Sequence, residues 1–231
     1  MPSLSPATLA VVRRVWAARL RVDEQALTSP GVVLVERDDM DAVVIVALGD
    51  TVVATGPVPA LSALAPLGAG RLLDLPDLLQ ALRDHAPDPI GSASLAYAEP
   101  TAGAPAELAT DDDVRHVVEA CSEADQDESG IREMPTRVVA REDGRPVALA
   151  GYEVWDDAVA HLGVLVVPDA RGRGLARTAA RAAMDHAPGL VPQWRASVDN
   201  PASKAVADRL GFVRTGLQIA IDVSRSGPGR G

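Results

Sequence analysis

The chain of 231 residues holds one cysteine, one phenylalanine and two tyrosines, and aromatic residues make up only 3% of it. The single thiol, Cys121, excludes an intramolecular disulfide and fits a reducing compartment. With so few aromatics the core must be built from Val, Leu and Ala, which a hydrophobic content of 47% allows. No stretch of 18 uninterrupted apolar residues occurs, so no membrane-spanning helix is expected. Pro2, Ser3 and Pro6 precede Arg13 and Arg14, the wrong order for a signal peptide, and a cytoplasmic location is expected. Positive charge is short as well. Against 32 acidic residues stand 22 basic ones, and the net charge of −10 argues against nucleic acid and anionic membrane surfaces as partners. It is compatible with a cationic amine as ligand.

The most informative stretch that is present reads Val-Val-Pro-Asp-Ala-Arg-Gly-Arg-Gly-Leu-Ala, residues 166–176. The apolar run 162–167 has strand character and stops at Pro168, and an Ala-rich helical pattern follows from Gly172. Gly172 and Gly174 therefore sit where a strand hands over to a helix, whose first amides have no intrahelical acceptor. The helix dipole adds partial positive charge there, and glycine lets a ligand approach the backbone. Such a turn cradles phosphate. Arg171 and Arg173 add fork-shaped donors suited to a diphosphate. A P-loop is excluded, because it needs a lysine after its last glycine and the only lysine is Lys204. The dinucleotide fingerprint is excluded by Arg177, which stands where a small residue is required. On these residues alone an ordinary strand-to-helix turn remains the alternative.

Further along, after a strand at 192–198, comes Asn200-Pro201-Ala202-Ser203-Lys204-Ala205-Val206-Ala207-Asp208-Arg209-Leu210-Gly211-Phe212. It reads as a helix with an Asn cap, Pro at its first position and a Gly stop, after which Phe212 opens a new strand. The two elements in this order, Arg171-x-x-Gly174-x-Ala176 and then Asn200 to Gly211-Phe212, resemble the GCN5-related N-acetyltransferase (GNAT) family. The resemblance covers residues 105–223. It implies an α/β fold with a mixed sheet and helices on both faces, with acetyl-CoA as co-substrate. The implied reaction moves the acetyl group to a primary amine by direct attack in a ternary complex. The diphosphate would rest on Arg171, Gly172, Arg173, Gly174, Leu175 and Ala176, with Asn200 and Ser203 as further coenzyme contacts. The pantetheine and the acetyl carbonyl would take the backbone of Leu165, Val166 and Val167, aimed where oxyanion charge develops. No metal is implied, and a homodimer stays open.

The remaining pattern agrees with that fold. Thr110 and Asp113 cap a first helix expected to run to 124, with Val114, Val117, Val118 and Cys121 on one face. Strands are expected at 136–141, 146–155 and 158–167, joined by turns at Asp143-Gly144 and Asp156-Asp157. Residues 1–104 read as a smaller accessory α+β domain without a catalytic signature. Its helices are expected at 6–21, 60–67 and 75–85, and its strands at 32–36, 42–47, 51–55 and 93–97. Residues 99–105, with Pro100, Gly103 and Pro105, form the expected linker. The Gly/Ser/Arg-rich stretch 224–231 is expected to be a disordered tail.

Acetyl transfer requires a polarised thioester carbonyl, an amine that loses a proton and a thiolate that leaves. Glu153 and His161 are the titratable residues on the two central strands. A buried Glu has a raised pKa and His titrates near neutrality, so either can act as base, and Glu153 is preferred. Many relatives carry a tyrosine near the coenzyme sulfur at the position of Ala207, which has no proton to give. Tyr152, on another strand, and solvent are the substitutes. Two classes remain open: an N-acetyltransferase, and a non-catalytic acyl-CoA-binding or regulatory module, which Ala207 favours.

Overall fold

Valine-rich strands and Ala- and Leu-rich helices alternate through residues 3–224, the part described by this computed structural model. The expected tail beyond Ser224 lies outside the described residues. In chain order come α1 (Pro6–Leu20), β1 (Gly31–Glu36), β2 (Ala42–Leu48), β3 (Thr51–Gly56), α2 (Val58–Leu64), α3 (Ala69–Leu72), α4 (Leu75–Ala81) and β4 (Asp88–Tyr97). There follow α5 (Asp111–Glu119), α6 (Glu123–Ser129), β5 (Thr136–Glu142), β6 (Arg145–Trp155) and β7 (Val159–Val166). The last elements are α7 (Leu175–Asp185), β8 (Val191–Ser197), α8 (Pro201–Leu210) and β9 (Val213–Asp222).

These elements group into two compact units, each discontinuous in sequence. One comprises residues up to Val12 together with Ala96–Arg214, and the other comprises Arg13–Leu95 together with the chain from Thr215. The expected division at 104/105 was sequential, with the last strand assigned to the later domain. In the structure β9 pairs antiparallel with β2, from Leu48↔Gly216 to Ala42↔Asp222. In that second unit β3 lies between β2, its antiparallel hairpin partner, and β1, which runs parallel to it. Val43, Ile45, Ala47, Ile219 and Ile221 form the apolar face of the sheet, and Leu61, Leu64, Leu72, Leu78 and Leu82 cover it.

The first unit carries the predicted motifs. β5, β6 and β7 form an antiparallel meander whose two turns, Asp143-Gly144 and Asp156-Asp157, hold all four central residues at positive φ, as tight hairpins require. Helices cover both faces. On one, Ala179, Ala180, Ala183 and Met184 of α7 and Leu210 of α8 pack on Ala148, Ala150, Leu162 and Trp194. On the other, Val117, Cys121, Ile131 and Met134 pack on Leu149, Leu165 and Val167. Cys121 is thus a core residue, as expected, and burial pushes its thiol above the ordinary value despite the neighbouring Arg171.

Two local expectations change. The single helix expected to reach 124 is two helices, because the Ser122 side chain accepts the Asp125 N–H and starts α6 afresh. The expected linker has no regular secondary structure but is tied down. Thr101 Oγ1 donates to Met184 O and Ala104 N–H to Asp185 O, which occupies carbonyls at the open C-terminal end of α7.

α5 begins with a capping box in which Thr110 and Asp113 satisfy each other's backbone amides, and Asp113 also accepts from Arg141. Burial raises the Asp113 carboxyl, but the Thr110 and Arg141 hydrogen bonds outweigh it and leave the pKa below the ordinary value. A lowered folded-state pKa adds stability above the unfolded value and loses it as pH falls through the folded one. Asp113→Asn should therefore reduce stability at neutral pH and flatten its decline as pH falls through and below the ordinary carboxylate range. Denaturant unfolding at several pH values checks this.

α6 sits very close to β7. A Cβ added at Gly163 would lie 2.1 Å from Ser129 O and 2.5 Å from Met134 Cε. No side chain fits there. Gly163→Ala should cost about 1–3 kcal/mol by overpacking, read as a fall in Tm by scanning calorimetry.

Candidate active site

β7 and β8 run parallel and pair from Val159↔Val191 to Leu162↔Trp194, and then their pairing ends. β7 nevertheless continues to Val166 and β8 to Ser197. The two strands thus diverge into a V. α6 touches both arms: Ser129 O lies against Gly163 on β7, and Glu128 Oε1 accepts Ser197 N–H at the end of β8 and Asn200 Nδ2, each at 3.2 Å.

The V opens into a cavity of about 680 Å³ lined by β7 from Leu162 to Val166, by Trp194 and Arg195 of β8, and by residues of α6, α7 and α8. Strand alternation decides which amides face it. Val167 N–H donates to Val147 O across the sheet, so the in-phase amide of Leu165 also points to β6, while those of Val164 and Val166 point away into the V. Of the three backbone donors expected from the sequence, Val166 faces the cavity, Val167 is spent on Val147 and lies off it, and Val164 takes the place of Leu165.

The glycine turn stands at the mouth. Gly172 and Gly174 have φ of 78° and 84°, and Gly174 serves as the N-cap of α7 in the left-handed region that glycine enters without strain. The first in-helix bonds run from Arg177 and Thr178 N–H to Gly174 O, which leaves the preceding amides of the first turn unclaimed by the helix. Arg171, Gly172, Gly174, Leu175, Ala176, Asn200 and Ser203 all line the cavity. Asn200 caps α8 through Ser203 N–H at 2.9 Å, and Ser203 Oγ accepts Trp194 Nε1–H at 3.0 Å.

The arginines are arranged differently from the expectation. Arg173 is absent from the lining, its guanidinium held by Glu142 at 2.8 Å and by Asp169 O. Arg171 lines the cavity, pairs with Asp125 at 3.0 Å and donates to Val166 O. The Ser122 hydroxyl and then Arg171 hold the Asp125 carboxyl below its ordinary range. Arg177 and Arg209 also line the cavity, and the Arg177 guanidinium reaches to 3.9 Å from where a Gly174 Cβ would stand. The sequence reading met Arg177 only as the residue that broke a dinucleotide fingerprint. Its position in the first turn of α7, beside the glycine turn, is the signal that could have marked it as a cavity residue.

Glu153 and His161 are direct register partners on β6 and β7, and neither lines the cavity. Glu153 is exposed near the end of β6 rather than buried as expected, and its Oε2 accepts Trp155 Nε1–H at 3.0 Å. His161 is half-buried and stacks on Trp155 with ring centroids 4.5 Å apart. It stands directly behind the apex, since His161↔Gln193 is the last closed pair but one before the V. The side chain expected to substitute for the missing tyrosine does not reach the cavity, and neither does the position where relatives carry that tyrosine. Tyr152 is buried on the α7 side with its hydroxyl 3.0 Å from His186 Nδ1, and Ala207 is 3% exposed in the same core.

The sheet is thus opened between two parallel strands, with helix-terminal amides and arginines at the mouth of the opening. Residues 104–212 match the model of the acetyltransferase (GNAT) family, and the chain carries a domain of that family. Among solved structures it is similar to a GCN5-related N-acetyltransferase from Kribbella flavida, with 20% identity, 66% of this chain and 65% of the other covered, and a TM-score of 0.45. It is also similar to an acetyltransferase of the GNAT family from Colwellia psychrerythraea, with 16% identity, 58% and 57% covered, and a TM-score of 0.43. A ribosomal-protein-alanine N-acetyltransferase from Brucella melitensis matches with 17% identity, 51% and 98% covered, and a TM-score of 0.38. The chain spans less than two thirds of the length of the first two of these. No curated protein matches the sequence. Among the described residues no helix is long and apolar enough to cross a membrane.

If the arginines hold a coenzyme diphosphate, Arg171→Ala and Arg177→Ala should each weaken acetyl-CoA binding about 10- to 100-fold, the worth of one charge-assisted hydrogen bond. Calorimetric titration of the folded variants reads this directly. Arg173→Ala should leave the affinity within a few-fold of the wild type.

Proposed function

We propose that the protein is an N-acetyltransferase that moves the acetyl group of acetyl-CoA to a primary amine by direct attack in a ternary complex. The observation that carries this reading is the divergence of β7 from β8, which turns the amides of Val164 and Val166 into a cavity with the glycine turn at its mouth. A diphosphate seated on residues 172–176 would direct the pantetheine along β7 toward the apex. The acetyl carbonyl would then meet main-chain N–H groups already in place, the preorganised arrangement that stabilises a developing oxyanion.

The base is His161 on this reading. It stands behind the apex, whereas the Glu153 carboxylate is exposed and engaged by Trp155. His161 takes a proton from the acceptor ammonium, the neutral nitrogen attacks the thioester carbon, the C–N bond forms, and the C–S bond breaks. The nitrogen sheds its second proton to solvent as the C–S bond breaks, and solvent protonates the departing thiolate, because Ala207 and Tyr152 both point into the α7 core.

One observation favours the second reading, a non-catalytic acyl-CoA-binding module: no tyrosine hydroxyl lines the cavity. Free coenzyme A release with a panel of primary amines separates the two. The acetyltransferase reading predicts amine-dependent release, and tight acetyl-CoA binding without release under any amine would favour the module. With an accepted amine, His161→Ala should lower kcat by about 10²–10⁴-fold, the range of a lost general base, and leave acetyl-CoA affinity unchanged. Glu153→Gln should be milder, and the reverse order would return the role to Glu153.

A further inference from the structure

Gln193 lies in the middle of β8 with 1% of its surface exposed. A buried carboxamide on a strand adds nothing to the apolar core and must be fully hydrogen-bonded to be tolerated. Its partners run along one row of the sheet. Gln193 Nε2 donates to Tyr97 Oη at 2.6 Å, and Gln193 Oε1 lies 2.9 Å from His161 Nδ1. The row continues through Trp155, which stacks on the His161 ring and donates Nε1–H to Glu153. This row crosses the sheet one register step behind the apex of the V.

An oxygen at 2.9 Å from an imidazole nitrogen accepts only if that nitrogen carries hydrogen. With Nε2 of Gln193 on the tyrosine oxygen, Oε1 faces the ring, and in the neutral imidazole the proton must sit on Nδ1. The lone pair is then on Nε2. Trp155 stacked on the ring fixes its plane. We infer that Gln193 is a positioning residue whose Oε1, with Nε2 engaged on Tyr97, holds His161 in the Nδ1–H tautomer. The inference rests on the proposed role of His161 only for its catalytic consequence, because the tautomer itself can be read without any acetyl transfer. An imidazole in the wrong tautomer keeps its geometry but presents a proton where the base needs a lone pair.

The test is ¹⁵N NMR of imidazole-labelled protein, with the His161 signals assigned by their loss in His161→Gln. The wild type should show Nδ1 as the protonated nitrogen of the neutral ring and Nε2 as the unprotonated one. Gln193→Leu should lose that preference. With an accepted amine it should lower kcat toward the level of His161→Ala, while the KM for acetyl-CoA stays unchanged. Gln193→Glu keeps an oxygen facing Nδ1 and should restore the tautomer and most of kcat. A wild-type spectrum with the proton on Nε2 would overturn the inference without recourse to any variant, and so would an unchanged tautomer in a folded Gln193→Leu protein. If the tautomer behaves as expected but His161→Ala transfers acetyl as fast as the wild type, the positioning stands and the base assignment falls.

Discussion

The site depends on the failure of two neighbouring parallel strands to stay together. β7 and β8 share four residue pairs and then separate, and strand amides that would normally close a ladder face a cavity instead. Unpaired main-chain groups inside a sheet are costly unless something replaces the lost partner. α6 holds the gap from one side, its backbone resting where Gly163 has no side chain and its Glu128 taking over the amide of Ser197. A ligand that offers acceptors along the strand would supply the rest.

Around that gap the chemistry divides by element. The glycine turn and the start of α7 provide dipole and amides for an anion, with Arg171, Arg177 and Arg209 as full charges on the same cavity. Asp125 pairs with Arg171, so an anionic ligand would compete with a carboxylate for that guanidinium. The polar row from Glu153 to Tyr97 lies behind the apex, on the α5 and α6 side of the sheet. On the proposed reading, coenzyme binding and proton transfer fall on either side of the point where the two strands part.

Much of this was legible in the sequence, and what was legible was local. The glycine turn, the Asn200 cap, the Gly211 stop and the two aspartate hairpins are each specified by residues within a few positions of one another, and all are in place. The break between α5 and α6 was also local, but the apolar face that reaches Cys121 masked the Ser122 cap. Contacts between distant segments were not legible. The pairing of β9 with β2 joins residues at opposite ends of the chain, and nothing in either strand names its partner. The same holds for Gln193, a polar residue in a short strand whose meaning comes only from Tyr97 and His161. Glu153 and His161 could be placed on adjacent strands by pattern, but their exposure could not, since it depends on which part of the sheet face the helices cover.

Amide hydrogen exchange with and without acetyl-CoA tests the central claim most directly, because it reads the main-chain donors themselves. Coenzyme seated in the V should slow exchange at Val164 and Val166 and across residues 172–176, and should leave Leu165 and Val167, already bonded within the sheet, little changed. Acetyl-CoA binding that protects neither the β7 amides nor the glycine turn would contradict the account.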